Sequence, residues 1–196
     1  MSKSLVRTNR DYRLLLSASS VSNFGDGIAM VALPWLATML TSDPLLIAAV
    51  ATAQRLPWLL FALPAGVWTD RADRRLLMAR ADLMRMVLMA LTLLMVMSHT
   101  ALPVPEGSGN AAILSLALIA FLFGSAEVIR DNAAQTVLPS IVAHGDLERA
   151  NGQMWSAEQV TGQFIGPPVA GLLIASSVAL PFGVDASIYA LSAALI

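Results

Sequence analysis

The 196-residue chain contains no cysteine, which excludes disulfides, thiolate metal sites and a thiol nucleophile. Its two histidines, His99 and His144, are too few for a histidine metal centre, so no metal is expected. Charge is scarce as well: 13% of residues are Asp, Glu, Lys or Arg, where a soluble domain usually carries about 25%. A net charge of −1 gives no support to nucleic-acid binding. Neither H-E-x-x-H nor G-x-S-x-G occurs, and Ser108 has only His99 and the loop residue Glu106 for company. An enzyme is therefore not expected, and no organic cofactor is implied.

What the chain has in quantity is apolar length. Hydrophobic residues make up 57% of it, mean hydropathy is +0.69, and the apolar residues fall in runs. Those runs reach about 20 residues, the length needed to cross a hydrocarbon core of about 30 Å. The fold class is all-α, a polytopic membrane protein with six transmembrane helices. Residues 1–13 form a short N-terminal tail, and 14–196 form the bundle. The expected spans are about 14–40, 45–67, 76–98, 111–135, 152–176 and 182–196. The first is interrupted by Asn23-Phe24-Gly25-Asp26-Gly27 and bent at Pro34. Lys3, Arg7, Arg10 and Arg13 lead into a stretch too long for a cleavable signal.

Between the second and third spans lies Gly66-Val67-Trp68-Thr69-Asp70-Arg71-Ala72-Asp73-Arg74-Arg75, with five charges in six positions at its end. So short a loop predicts antiparallel, adjacent helices on either side. It also sets orientation. Basic residues gather in the tail, in and beside this loop (Arg71, Arg74, Arg75, Arg80) and at Arg149. The segments 41–44, 99–110 and 177–181 contain none. The positive-inside rule then places the N-terminus and the charged loop in the cytoplasm of a cell-membrane protein.

Charges inside the spans cost about 2.5–3.5 kcal/mol each even on the lenient insertion scale, so each needs a partner, a wet cavity or a task. Asp26 lies about 20 Å along the first helix, and Arg55 about 15 Å into the second from the opposite side. Those depths match, and an Asp26–Arg55 pair is geometrically possible. Such a pair reads either as a structural lock on helix rotation or as a cavity carboxylate that exchanges protons. Glu127, Arg130 and Asp131 stand at i, i+3 and i+4 and share one helix face. They read as an interfacial cluster reaching for water, or as an Arg flanked by carboxylates that holds an anionic group or tunes proton affinity. Glu158 is a lone carboxylate in the fifth span, and Asp185 reads as a cap at the start of the sixth. The methionines at 78, 84, 86, 89, 95 and 97 suit packing or a lipid face.

In the fifth span, Gly162 and Gly166 form a small-xxx-small face that admits a close helix neighbour, and Pro167-Pro168 removes backbone donors and bends the helix. Together these stretches resemble the major facilitator superfamily. Gly66-x-x-x-Asp70-Arg71-x-x-Arg74-Arg75 is similar to its loop signature between helices two and three. Gly162-x-x-x-Gly166-Pro167-x-x-Ala170-Gly171 is similar to the fifth-helix signature of its drug/proton antiporters, with alanine in place of one glycine. Gly25-Asp26-Gly27 with Ala32-Leu33-Pro34, Arg55-Leu56-Pro57 and Ala150-Asn151 resemble the secretion-effector branch, which includes enterobactin exporters and macrolide efflux pumps.

The resemblance implies an N-terminal six-helix half of a twelve-helix transporter, with its substrate site between two halves. It implies proton-coupled efflux of small amphiphilic compounds by alternating access. The alternatives are siderophore or peptide export, uptake by the same fold, or a truncated membrane scaffold. Its partners would be the lipid bilayer, a small-molecule substrate, protons, and a missing C-terminal half or a second copy. It implies that Asp70 latches the inner side, that Asp26 couples protons or recognises charge, and that Arg130 occupies the place of a functional fourth-helix arginine. Asp73 departs from the signature, standing where a loop glycine is usual.

Overall fold

A computed structural model of the chain describes residues 5–99, 102–105 and 109–196; the side chains at 65, 67, 68, 70 and 71 fall outside that description. The side chains of Asp70 and Arg71, and all of Glu106 and Ser108, therefore lie outside the described residues. Among the described residues eight α-helices follow one another: α1 Leu5–Thr8, α2 Arg10–Leu40, α3 Pro44–Arg71, α4 Arg74–Ser98, α5 Asn110–Ile141, α6 Leu147–Glu158, α7 Gly166–Ser176 and α8 Leu180–Leu195. A single 3₁₀ turn, His144–Asp146, precedes α6, and a π-helical stretch, Gln159–Ile165, joins α6 to α7. No strand occurs among the described residues. In hydrocarbon this is the expected outcome, because a helix satisfies its own backbone while an open sheet edge cannot.

Among the described residues four helices, α2 to α5, are long and apolar enough to cross a membrane, and α8 is a shorter apolar helix. With 31 residues, α2 extends about 46 Å at 1.5 Å per residue, so its ends pass beyond a 30 Å core. The helices start on side chains suited to the task. The Asn9 amide oxygen accepts from Tyr12 N, the Asp43 carboxylate from Leu45 N, and the Asp73 carboxylate from Leu76 N. Asp73 has φ −66°, so an acidic residue serves as N-cap where the signature has glycine. Pro44 stands at the first turn of α3, where its missing N–H is not needed.

Several expectations change. The Asn23–Gly27 stretch does not interrupt the first span; α2 is helical throughout, Pro34 included. Within the tail, residues 5–8 form α1, and Leu5 and Tyr12 are buried in a core with Leu15, Met78, Val137 and Leu138. The two-residue link Ala72–Asp73 does not leave α3 and α4 side by side. They scarcely touch; α3 runs along α5, while α4 packs on α5 and α8. A tight link fixes where two helices begin, but their buried faces decide what each lies against. On α4 that face includes Asp82 and Arg85, whose partners are on α2 and α8.

Two apolar clusters fill the bundle. One gathers Leu33, Leu36, Met89, Leu116, Phe123 and Phe182; the other lies toward the basic end around Tyr12, Met78 and Leu138. On α2, α4 and α5 the stretches between these clusters hold polar side chains among small and apolar ones: Ser19, Ser22, Asn23 and Asp26, then Asp82 and Arg85, then Glu127 and Arg130. The bundle therefore carries a polar layer at mid-length, sandwiched by apolar ones.

Candidate functional site

Arg85 is the centre of the polar layer. Its side chain is fully buried, and its guanidinium binds Asp26 Oδ1 at 2.6 Å, Ser22 Oγ at 2.8 Å and Asp82. Asp82 is also fully buried and has Ser192 Oγ 2.6 Å from its Oδ2, so α8 is tied to α4. Arg130 comes in from α5, donating to Ser19 Oγ at 3.1 Å, with Nε 3.9 Å from Asp82 and Nη1 3.4 Å from Asp131. The Tyr189 hydroxyl donates to Asp26 Oδ1 at 2.8 Å, and the Arg85 guanidinium lies 4.5 Å from the centre of the Tyr189 ring. Four helices thus share one charge network. Charges buried in this way are tolerated when paired and hydrogen-bonded, and removing one partner strands the other.

In front of the network opens a cavity of about 100 Å³. Asn23, Asp26, Gly27 and Met30 of α2 line it, with Gln54, Arg55 and Trp58 of α3, Glu127 and Asp131 of α5, and Glu158, Gly162 and Gln163 from the α6–π segment. Four carboxylates face Arg55 across it. Glu127 accepts from the Trp58 indole at 3.3 Å and lies 3.7 Å from Arg55. Asp26 belongs to both assemblies, with its side chain 15% exposed toward the cavity and its Oδ1 bound to Arg85 and Tyr189.

The cavity wall on the α6 side depends on an unusually close helix contact. A Cβ at Gly27 would strike the carbonyl oxygen of Gly162 and come within 3.0 Å of Gly166 Cα. Only bare backbones meet at that distance, as small-residue faces allow. The π-helical stretch ends there, just ahead of Pro167 and Pro168, which stand in the first turn of α7 and lack N–H groups. Extra-residue turns of this kind are frequent at functional positions. This one carries Gly162 and Gln163 to the cavity.

The structure brings together Asp26, Arg55, Glu127, Asp131 and Glu158 around one cavity, with Arg130 behind it. The pairing differs from the one that depth alone suggested: Asp26 binds Arg85, and Arg55 faces Glu127. Asp185 is no cap. Ala179 precedes the first turn of α8, and Asp185 is buried a full turn inside. Gly171 lies apart from the glycine contact, with open space around it, because the helix face it occupies turns away from α2. Gly66 likewise meets nothing. In the loop, Arg75 lies 3.6 Å from Asp11 across an exposed gap, joining the start of α4 to the start of α2. Asp82 and Arg85 were absent from the sequence-level candidates. Their signal was an i, i+3 opposite-charge pair about 12 and 16 Å along α4 from Arg74, too deep for the interface.

A bundle of membrane-length helices that encloses an ion network and opens an acid-lined cavity at mid-depth has the makeup of a membrane transport protein. The chain belongs to the transmembrane secretion effector family of the major facilitator superfamily; that family's model matches residues 6–196. It is an integral membrane protein. It is similar to the multidrug efflux pump Tap of Mycolicibacterium fortuitum, with 30% identity over 165 residues, covering 83% of this chain and 38% of the relative. It is also similar to proteins of the same description in Mycobacterium bovis and Mycobacterium tuberculosis, each 31% identical over 165 residues. The chain thus spans 38% of the length of these curated relatives.

Proposed function

We propose that the chain forms one half of a secondary transporter that expels small amphiphilic cations in exchange for protons, by alternating access. The acid-lined cavity carries this reading. Asp26, Glu127, Asp131 and Glu158 line it, and together with Asp82 these carboxyls still outnumber Arg55, Arg85 and Arg130, so an organic cation gains from the site's acidic excess and an anionic siderophore is disfavoured. Trp58 and Met30 add apolar and aromatic surface for the cation's greasy part. The similarity to multidrug efflux pumps supports the same direction of transport.

The α6–π–α7 path covers residues 147–176 without a break and serves as the fifth span, and α8 serves as the sixth. The basic residues at 7, 10, 13, 74, 75 and 149 support a cytoplasmic N-terminus in the cell membrane by the positive-inside rule. A second six-helix unit, either further along the same protein or a second copy, would close the cavity from the other side.

The test is calorimetric binding of tetraphenylphosphonium to the chain in lipid nanodiscs, with tetraphenylborate as the same shape of opposite charge. Cation binding should exceed anion binding and weaken at least about tenfold in Asp26→Asn/Glu127→Gln, a loss of about 1.4 kcal/mol. Equal binding of both ions, or an unchanged double variant, refutes the cationic cargo.

A further inference from the structure

Behind the cavity, on the side turned to α8, lies a carboxyl that cargo binding leaves unused. Asp185 is 1% exposed, and neither of its carboxyl oxygens has a hydrogen-bond partner. It stands four residues before Tyr189 on α8, so the two side chains leave the same helix face. That face meets α2 at Gly25. A Cβ there would lie 2.6 Å from Asp185 Oδ1 and 2.9 Å from the Tyr189 hydroxyl. Glycine is what lets the carboxyl and the phenol reach the α2 backbone together. Beyond them, the Tyr189 hydroxyl already donates to Asp26, the member of this group that opens to the cavity.

The charged surroundings are defined on every side. From α4 come Asp82 and Arg85, and Arg85 is committed to Asp26 and Asp82. From α5 come Arg130, paired toward Asp82 and Asp131, and Glu127, which faces Arg55. The α7 helix has no ionisable residue. An ionised carboxylate sealed without a partner is far costlier than the neutral acid.

We propose that Asp185 stores a proton out of reach of the cavity and exchanges it with Asp26 through the Tyr189 hydroxyl. In the exchange a rotation of the Asp185 side chain first brings its O–H within hydrogen-bond reach of the phenol. The Asp185 O–H bond then breaks and its proton goes to the Tyr189 oxygen, while the original Tyr189 hydrogen passes to Asp26 Oδ1 along the hydrogen bond already present. Asp26 becomes neutral, Asp185 takes the negative charge, and the net charge of the network is unchanged. Arg85, stacked on the Tyr189 ring, is placed to follow the charge from one carboxylate to the other. A cation in the cavity holds the charge on Asp26 and so keeps the proton on Asp185; an empty cavity lifts that constraint. This deepens the transport reading and rests on it for the link between cargo and proton.

Infrared difference spectroscopy of the chain in nanodiscs at neutral pH tests it. A carbonyl band of a neutral, water-shielded carboxyl is expected, absent in Asp185→Asn and shifted in Asp185→Glu. Added tetraphenylphosphonium should strengthen the band, and Tyr189→Phe should keep the band but abolish that response. No such band, or one unshifted by Asp185→Glu, overturns the proposal, as does a normal response in Tyr189→Phe. The band in a chain that binds no tetraphenylphosphonium supports the proton site while refuting the cargo. Binding without the band refutes the proton site alone.

Discussion

Replacing Arg85 by methionine tests whether the polar layer is a set of interdependent charges. Methionine keeps the length and apolar stem of the side chain and deletes the guanidinium. Asp26 loses a 2.6 Å ion pair but keeps the Tyr189 hydroxyl and some exposure to the cavity. Asp82 fares worse, because it is fully buried. It keeps Ser22 at 3.3 Å, Ser192 at 2.6 Å and Arg130 only at 3.9 Å. Breaking a buried pair costs about 3–5 kcal/mol. The remaining hydroxyls argue for the lower end, about 3 kcal/mol, or a hundredfold in the folding equilibrium. Adding Asp82→Asn removes the stranded charge, and the double variant should regain about 1–3 kcal/mol relative to additivity. Unfolding by dodecyl sulfate in mixed micelles, followed by tryptophan fluorescence, measures both. A single variant within about 0.5 kcal/mol of the parent, or strictly additive behaviour, refutes the reasoning.

Other consequences are simpler. Gly27→Ala drives a Cβ into the Gly162 carbonyl and should cost about 1–3 kcal/mol, or more because backbone must move. Gly171→Ala, with open space around it, should fall within about 0.5 kcal/mol of the parent in the same titration. Asp73→Ala deletes the α4 cap and should cost about 0.5–2 kcal/mol, whereas Asp73→Gly costs only about a few tenths. Arg75→Ser breaks an ion pair more than half exposed on both sides. Its effect should stay below about 1 kcal/mol and disappear in molar salt, as read from thermal unfolding at two ionic strengths.

Helix type, and membrane length for α2 to α5, were legible because they are one-dimensional: a run of about 20 apolar residues has few other uses. Depth was legible for Asp26 and Arg55, which line one cavity; Glu127 and Asp131, whose spacing also suited an interfacial cluster, line the same cavity. Partner choice was not. Residue number gives height along a helix, while rotation about the axis is set by neighbours that the sequence does not order in space. Asp26 and Arg55 stand at similar depth, yet Asp26 turns to α4 and Arg55 to α5. Asp82 and Arg85 were obscured by nearness to a basic loop, although their depth marked them as intramembrane charges needing partners. Asp185 suggested a cap because Pro181 and the preceding polar turn were read as loop; the proline instead sits inside the first turn, moving the helix start ahead of it. The π stretch has no comparable sequence signature, since it arises where Gly27 and Gly162 demand a close backbone approach.

Asp26 decides how the parts act together. Were the cavity and the ion network separate, cargo could bind without disturbing the packing of α4 and α8. They are not separate: one oxygen of Asp26 is held by Arg85 of α4 and Tyr189 of α8, and the same side chain is part of the cavity wall. A cation that draws on the Asp26 charge therefore competes with Arg85. Arg85 cannot leave Asp26 without also readjusting Asp82, which it binds from the same guanidinium. Asp82 holds Ser192 of α8, and Arg130 links it to Asp131 back in the cavity. The contacts form a chain from Asp26 through Arg85, Asp82 and Arg130 to Asp131, with both end carboxylates on the cavity wall; under the proposed transport function, cargo occupancy would bear on how α4 and α8 sit against α2. Such coupling requires cargo to bind two arrangements of this chain of charges with different affinity, and moving Arg85 away from Asp82 would strand a buried charge.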